Sequence, residues 1–147
     1  MESFAAEALI NADCSTVWDI ITDEGNYTLW PSGIVWIEGE IGHGSTIRIR
    51  TANGGRRTLR VHVHQIPGQE MIWTGGMPLG LFTGVRTFTI TAQDRMTHLH
   101  VREDFSGLLL PLVRKTTSGQ GHFCTEYVNA VKARAEMFPW PLPEHGP

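Results

Sequence analysis

Charge is scarce in this 147-residue chain: Asp, Glu, Lys and Arg make up 18% of it, and twelve basic against fifteen acidic side chains leave a formal net charge of -3. No global positive field draws such a chain to nucleic acid or anionic lipid, and no nucleic-acid partner is expected. Cysteine is scarcer still. Cys14 and Cys124 could close one disulfide at most, and their spacing fits neither a staple framework nor a zinc knuckle, so two reduced, buried thiols are expected. No apolar run approaches the roughly 18 residues of a membrane span, and Met1-Glu2-Ser3-Phe4 lacks the basic and apolar stretches of a secretion signal. The expectation is a cytoplasmic protein. Nucleophile-elbow, Walker and dinucleotide-binding patterns are missing too, so no cofactor is implied.

What is present is turn chemistry and aromatic surface: sixteen Gly, eight Pro, five Trp, six Phe and two Tyr. A chain of this length forms one domain, 1–147, able to bury about two thirds of the surface its unfolded form exposes. Phe4 to Ile10 reads as a strand. Asn11-Ala12-Asp13-Cys14-Ser15 offers three capping side chains, with Ser15 the expected cap of a helix over Thr16–Asp23, where Val17, Ile20 and Ile21 recur at helical spacing. A second short helix is expected to end at Trp30-Pro31. From there the period changes to 2. Ile34–Glu38, Thr46–Thr51, Thr58–Ile66, Met71–Thr74, Gly84–Ala92 and Met96–Phe105 read as strands joined by short turns, which demands antiparallel neighbours. From Pro111 onward the pattern is helical again, with Phe123, Tyr127, Val131 and Phe138 on one broad face and Lys132, Arg134 and Glu136 on the solvated side. Pro139-Trp140-Pro141-Leu142-Pro143 cannot continue that helix.

The order strand, two short helices, six strands and one long helix makes an α+β protein: a curved seven-stranded antiparallel sheet wrapped around a long C-terminal helix. Ile10-Asn11-Ala12 through Val17-Trp18, with Asp23, Tyr27 and Trp30, resembles the opening of the START/Bet v 1-like (SRPBCC) superfamily, in its polyketide cyclase/dehydrase and lipid-transport-like branch. Glu103-Asp104-Phe105-Ser106-Gly107 with Pro111, and Ala130 through Glu136, fit the same family. The resemblance implies a helix-grip fold with a hydrophobic cavity. Its members range from lipid carriers to ring-closing enzymes, so fold constrains function weakly.

A two-residue turn at Asp94-Arg95 pairs Ile90 with Leu99, Phe88 with Val101 and Arg86 with Glu103, all on the apolar face. Charges there call for partners. Arg86 and Glu103 are therefore either a structural ion pair or a site, with Arg86 holding a carboxylate, enolate or phenolate oxygen and Glu103 orienting it or acting as general base. His122, one turn from Glu126 on the long helix, is a third candidate acid or base. Tyr27, Trp30, Trp73, Phe82, Phe88 and Phe105, with Phe123 and Tyr127 from the helix, are the candidate ligand-binding residues of an aromatic-rich cavity. That pocket is expected between sheet, helix and the glycine-rich stretch Gly75–Phe82, a candidate entrance loop, and should touch Trp73, Phe88 and Tyr127.

His62-Val63-His64 and His98-Leu99-His100 send their imidazoles to the outer side of their strands, so no metal is expected. Around the Asn53-Gly54-Gly55 turn, Ile49 pairs with Leu59 and Ile47 with Val61 inside, which sets Arg48 against Arg60 outside. A solvated basic hairpin is the expected reading. Two functions stay open: a carrier or sensor for a hydrophobic or aromatic small molecule, and a cyclase- or dehydratase-like enzyme acting on a polyketide or related carbonyl compound by cofactor-free acid/base chemistry. A homodimer through the outer sheet face or an edge strand is compatible with either.

Overall fold

The computed structural model of the protein describes residues 2–52, 54, 56–111 and 120–137. Strand β1 (Glu2–Ile10) leads into helix α1 (Cys14–Thr22) and a single 3-10 turn at Glu24–Asn26. Six strands follow: β2 (Ile34–Glu38), β3 (Thr46–Thr51), β4 (Leu59–Ile66), β5 (Glu70–Met77), β6 (Phe82–Gln93) and β7 (Met96–Ser106). Helix α2 (Gln120–Glu136) closes the described chain. The strands form one antiparallel sheet in the order β1-β7-β6-β5-β4-β3-β2, a run of hairpins with β1 added beside the last strand. This is a curved, half-barrel sheet closed by a C-terminal helix. Period-2 alternation sorts the side chains: Ile47, Val61, Val63, Trp73, Phe88, Leu99 and Val101 are buried on the inner face, while Arg48, Arg60, His62 and His64 are exposed on the outer one.

Both hairpin registers follow from their turns. Ile90 lies opposite Leu99, Phe88 opposite Val101 and Arg86 opposite Glu103. Ile49 faces Leu59, Ile47 faces Val61 and Arg48 faces Arg60. The like charges of that hairpin are relieved from β2: Glu38 lies 3.8 Å from Arg48, and the guanidinium of Arg50 sits 4.7 Å from the centre of the Trp36 ring.

Four expectations are corrected. The expected second short helix is only the 3-10 turn at Glu24–Asn26, after which Tyr27 turns inward to full burial. Helix α1 is capped by Asp13 and not by Ser15. The Asp13 carboxylate accepts the Thr16 amide at 2.8 Å, and the Ser15 hydroxyl merely donates to that carboxylate at 3.0 Å. Strands β5 and β6 run on through Gly75, Gly76, Met77 and Phe82, so the expected entrance loop shrinks to a tight connection at 78–81. Backbone pairing continues there because glycine removes a side chain without removing the amide and carbonyl. Helix α2 buries Cys124, Tyr127, Val128, Val131 and Ala135, which rotates its inner stripe away from Phe123, left half-buried at the edge. Phe138, Asn53, Gly55 and the proline-rich tail lie outside the described residues.

Helix α2 is fastened at its end to the start of the fold. Lys132 Nζ donates to the Leu9 carbonyl at 2.7 Å, and the Asn11 amide donates to Glu136 at 2.8 Å. Across the same corner the buried Thr97 hydroxyl donates to the Ala12 carbonyl at 2.7 Å.

The capping assignment is testable. Hydrogen bonding to Thr16 holds the Asp13 carboxyl below its usual range, so its contribution is present above that range and fades as the pH falls through the lowered value. Asp13→Ala should cost about 1 kcal/mol in denaturant unfolding at neutral pH, with a smaller gap in acid, whereas Ser15→Ala should cost clearly less. Equal losses would move the cap back toward Ser15.

Candidate functional site

Arg86 on β6 and Glu103 on β7 are directly opposed on the inner face. Their side chains meet with Nη2 3.2 Å from Oε2 and remain 17% and 9% exposed, far below the norm for charged groups. Burial is the largest single influence on the arginine pKa and pulls it down, but Glu103 together with Tyr127, Cys124 and Tyr27 turns the net direction upward, so Arg86 stays a cation. Aromatic faces supply the rest of its surroundings: the guanidinium carbon lies 5.7 Å from the Tyr127 ring centre and 6.0 Å from those of Trp73 and Phe88. The Cys124 thiol comes within 3.5 Å of the other Glu103 oxygen. Burial, reinforced by that carboxylate, pushes the thiol up to about 12.

Beside the pair is a cavity of about 150 Å³, lined among the described residues by side chains of β3 to β7. Ile49, Leu59, Val61, Trp73, Phe82 and Phe105 make its walls apolar, and Arg86 and Glu103 form its polar end. Gly84 leaves room in the sheet for the Phe105 ring, since a Cβ there would lie 3.2 Å from it. Phe105 in turn stacks on Phe82, with centres 5.7 Å apart. Trp73 borders the same cavity, and its Nε1–H is buried with no hydrogen-bond partner. The Trp30 Nε1–H is buried without a partner in the same way.

On its other side Arg86 borders a pocket of only about 30 Å³, shared with Ser32, Gly33, Phe123 and Tyr127. Beyond Phe123 an open groove of about 730 Å³ runs between α2 and residues 28–35. The groove is larger and similarly open, but among the described residues it has no buried ion pair like Arg86–Glu103, and the cavity is the better site. Arg86 is thus a partition between two internal spaces.

Of the aromatic candidates, Trp73, Phe82 and Phe105 line the cavity, Tyr127 and Phe123 border the small pocket, and Trp30 and Phe123 border the groove. Tyr27 and Phe88 are wholly buried. They fill space in a cluster where Tyr27 stacks on Trp30 at 5.3 Å and Phe88 meets Trp73 at 5.2 Å and Tyr127 at 5.6 Å. The expected contact of one pocket with Trp73, Phe88 and Tyr127 together is therefore corrected: these rings pack on one another, and the space left open lies toward the glycines of β5 and β6. The Tyr27 hydroxyl donates to the Ile21 carbonyl at 2.6 Å, which leaves the Tyr127 hydroxyl to donate to Tyr27 at 2.7 Å. Burial raises both phenol pKa values, so both keep their protons at neutral pH. His122 lies at the surface, 3.3 Å from Glu126 and 77% exposed. His98 pairs with Glu7 on the outer face, and among the described residues no three metal-ligating side chains come together.

Sequence reasoning missed Gly84, Thr51 and the β3–β4 aliphatics as lining, and Cys124 as the neighbour of Glu103. Cys124, Tyr127, Val128 and Val131 stand at helical spacing, a signal that was available had the thiol been weighed as an apolar group.

The family model described as "Polyketide cyclase / dehydrase and lipid transport" matches residues 1–136. No curated protein matches the chain in sequence. Solved structures share its fold at low identity. A START superfamily protein from Mycobacterium smegmatis is 17% identical at a TM-score of 0.71, over 92% of this chain and 97% of that one. The di-domain ARO/CYC StfQ of the steffimycin biosynthetic pathway is 14% identical at 0.75, over 92% and 51%. The Aha1 dimer from Colwellia psychrerythraea is 16% identical at 0.69, over 93% and 98%.

Two measurements check this geometry. Arg86→Met leaves Glu103 unpaired in an apolar setting and should destabilise the fold by about 3 kcal/mol, while the double variant Arg86→Met, Glu103→Gln should recover more than half of that loss. Equal losses would mean that the two charges are uncoupled. Since the Cys124 thiol remains protonated below a pH of about 12, alkylation of the native protein at pH 8 should label Cys14 and reach Cys124 only after unfolding. Mass mapping reads the difference.

Proposed function

The chain belongs to the polyketide cyclase/dehydrase and lipid transport family, and from that premise we propose that it encloses a hydrophobic small molecule on the inner face of its sheet, as a carrier or sensor. The observation that carries this reading is the apolar-walled cavity, bordered by the Trp73 ring, with Arg86 and Glu103 at its polar end. Apolar walls supply affinity through area removed from water, and a few fixed polar groups supply orientation. Arg86 binds the ligand oxygen and Glu103 orients the guanidinium.

A second reading, a cyclase- or dehydratase-like enzyme, draws on the same pair. A carboxylate and a guanidinium at one cavity end can take a proton from a carbon beside a carbonyl and stabilise the resulting oxyanion. The likeness to StfQ, described as an ARO/CYC protein, lends it support at the level of fold. The carrier reading is favoured because the phenols and the thiol around the pair hold their protons, and His122 stands at the surface.

The test is titration with hydrophobic carboxylic acids, flavonoids, fatty acids and neutral single-ring amides followed by tryptophan fluorescence, together with native mass spectrometry of the copurifying ligand. A saturable change that Trp73→Phe removes is the expected result. In the double variant Arg86→Met, Glu103→Gln a carrier loses about 1.5–3 kcal/mol of affinity, whereas an enzyme loses more in turnover than in binding. No saturable change with any compound, and no copurifying molecule, would remove both readings.

A further inference from the structure

We propose that the molecule this cavity takes is uncharged, no larger than one substituted six-membered ring, and carries a hydrogen-bond donor and an acceptor side by side at the end that meets Arg86 and Glu103. The inference rests on the reading of the cavity as a ligand site and narrows it.

Size comes first. An apolar cavity of about 150 Å³ holds a benzene-sized molecule, and the space here is about 150 Å³. Its walls are apolar and partly aromatic, with Phe82 and Phe105 already stacked, so a flat ring finds faces to pack against. Beyond Arg86 only about 30 Å³ is free. A second fused ring therefore cannot pass Arg86 while it keeps its place beside Glu103, and would have to project through the open side of the cavity into water.

Charge comes second. The polar end holds one cation and one anion 3.2 Å apart, neutral in sum. A ligand carboxylate drawn to Arg86 would bring a second anion against Glu103, and a ligand ammonium drawn to Glu103 would face Arg86. In a site largely shielded from water such like-charge contacts are far less screened than in bulk solvent. A neutral group avoids both penalties. Its acceptor takes an N–H of the guanidinium and its donor gives a proton-sharing bond to the carboxylate, so the two protein charges keep each other as partners. The Trp73 ring borders the same cavity, so its resonances report on what enters. The complementary chemistry is that of a primary or secondary amide, a lactam or an enolised dicarbonyl on a single ring.

Three probes of one shape separate the charges: benzamide, benzoate and benzamidinium, which carry charges of 0, -1 and +1. Each is titrated into the full-length protein and followed by NMR, reading the Trp73 indole N–H resonance assigned with Trp73→Phe. Benzamide is expected to bind at least about tenfold more tightly than either ion, a difference of about 1.4 kcal/mol, and to shift the Trp73 resonance. Glu103→Gln should move the preference toward benzoate and Arg86→Met toward benzamidinium. The wild-type series stands alone should either variant fail to fold. Tightest binding by an ion, or binding that leaves the Trp73 resonance in place, would overturn the proposal. Naphthalene-2-carboxamide binding as tightly as benzamide would overturn its size limit. If none of the three binds while a longer apolar compound binds saturably with loss of the signal in Trp73→Phe, the one-ring class is wrong and the cavity reading stands. If nothing binds, the cavity reading falls with it.

Discussion

An arginine enters an apolar sheet interior only if its charge is met there, and in this fold the meeting is arranged by register. The two-residue turn at Asp94-Arg95 places Arg86 opposite Glu103. A slip of one residue would set Arg86 opposite Arg102 or Asp104 and turn the inner residues of one strand outward, so that Arg86 and Glu103 could no longer meet. The ion pair and the hydrophobic pairs Phe88–Val101 and Ile90–Leu99 are thus consequences of the same alignment. The pair also determines where space can remain, because a guanidinium fixed at 3.2 Å from its carboxylate walls off the small pocket beneath Phe123 and Tyr127 from the cavity beside Trp73.

Aromatic abundance works against a large interior. Near α1 and α2 the rings of Tyr27, Trp30, Trp73, Phe88 and Tyr127 meet face and edge, and two phenol hydroxyls close their own hydrogen bonds. A ring packed against three others, as Tyr27 and Tyr127 are, is core. Beside the ion pair, openness survives where β5 and β6 carry Gly75 and Gly84, which withhold side chains from the inner layer, and Gly84 lets Phe105 lean across the sheet. The position of the cavity is therefore set by missing side chains as much as by present ones.

This explains what could be read from the residues and what could not. Strand order, hairpin register and the opposition of Arg86 and Glu103 depend on turn length and period-2 alternation, which are local and written in sequence. The cap of α1 was ambiguous because Asp13 and Ser15 both cap well and stand two residues apart. Glycines at 75 and 76 look like loop residues, yet a strand paired on both sides tolerates them, since its backbone bonds do not depend on side chains. The fate of Tyr27 and Phe88 was beyond local reasoning. Whether a ring lines a space or fills it depends on which other rings converge from distant parts of the chain, and inward direction alone cannot tell the two apart. The stripe of α2 was misplaced for a simpler cause: Phe123 outweighed Cys124 in apolar area, although the smaller thiol fits where helix and sheet come closest.

The inventory of protons bears on whether the pair binds or reacts. Tyr27 and Tyr127 are committed to a carbonyl and to each other, and Cys124 keeps its proton because burial and the neighbouring carboxylate both oppose the thiolate. Glu103 is the group at the cavity with a vacant proton-accepting role, but it is engaged by Arg86 on one oxygen and approached by the Cys124 thiol on the other. On the enzyme reading it would serve as a base when a ligand oxygen shares the guanidinium, so binding and basicity would be coupled through Arg86. A ligand without an acidic hydrogen near Glu103 would then simply be held, and one with such a hydrogen beside a carbonyl would meet base and oxyanion partner together. On either proposed reading the same two side chains would serve, for carriage or for chemistry, according to the molecule they receive.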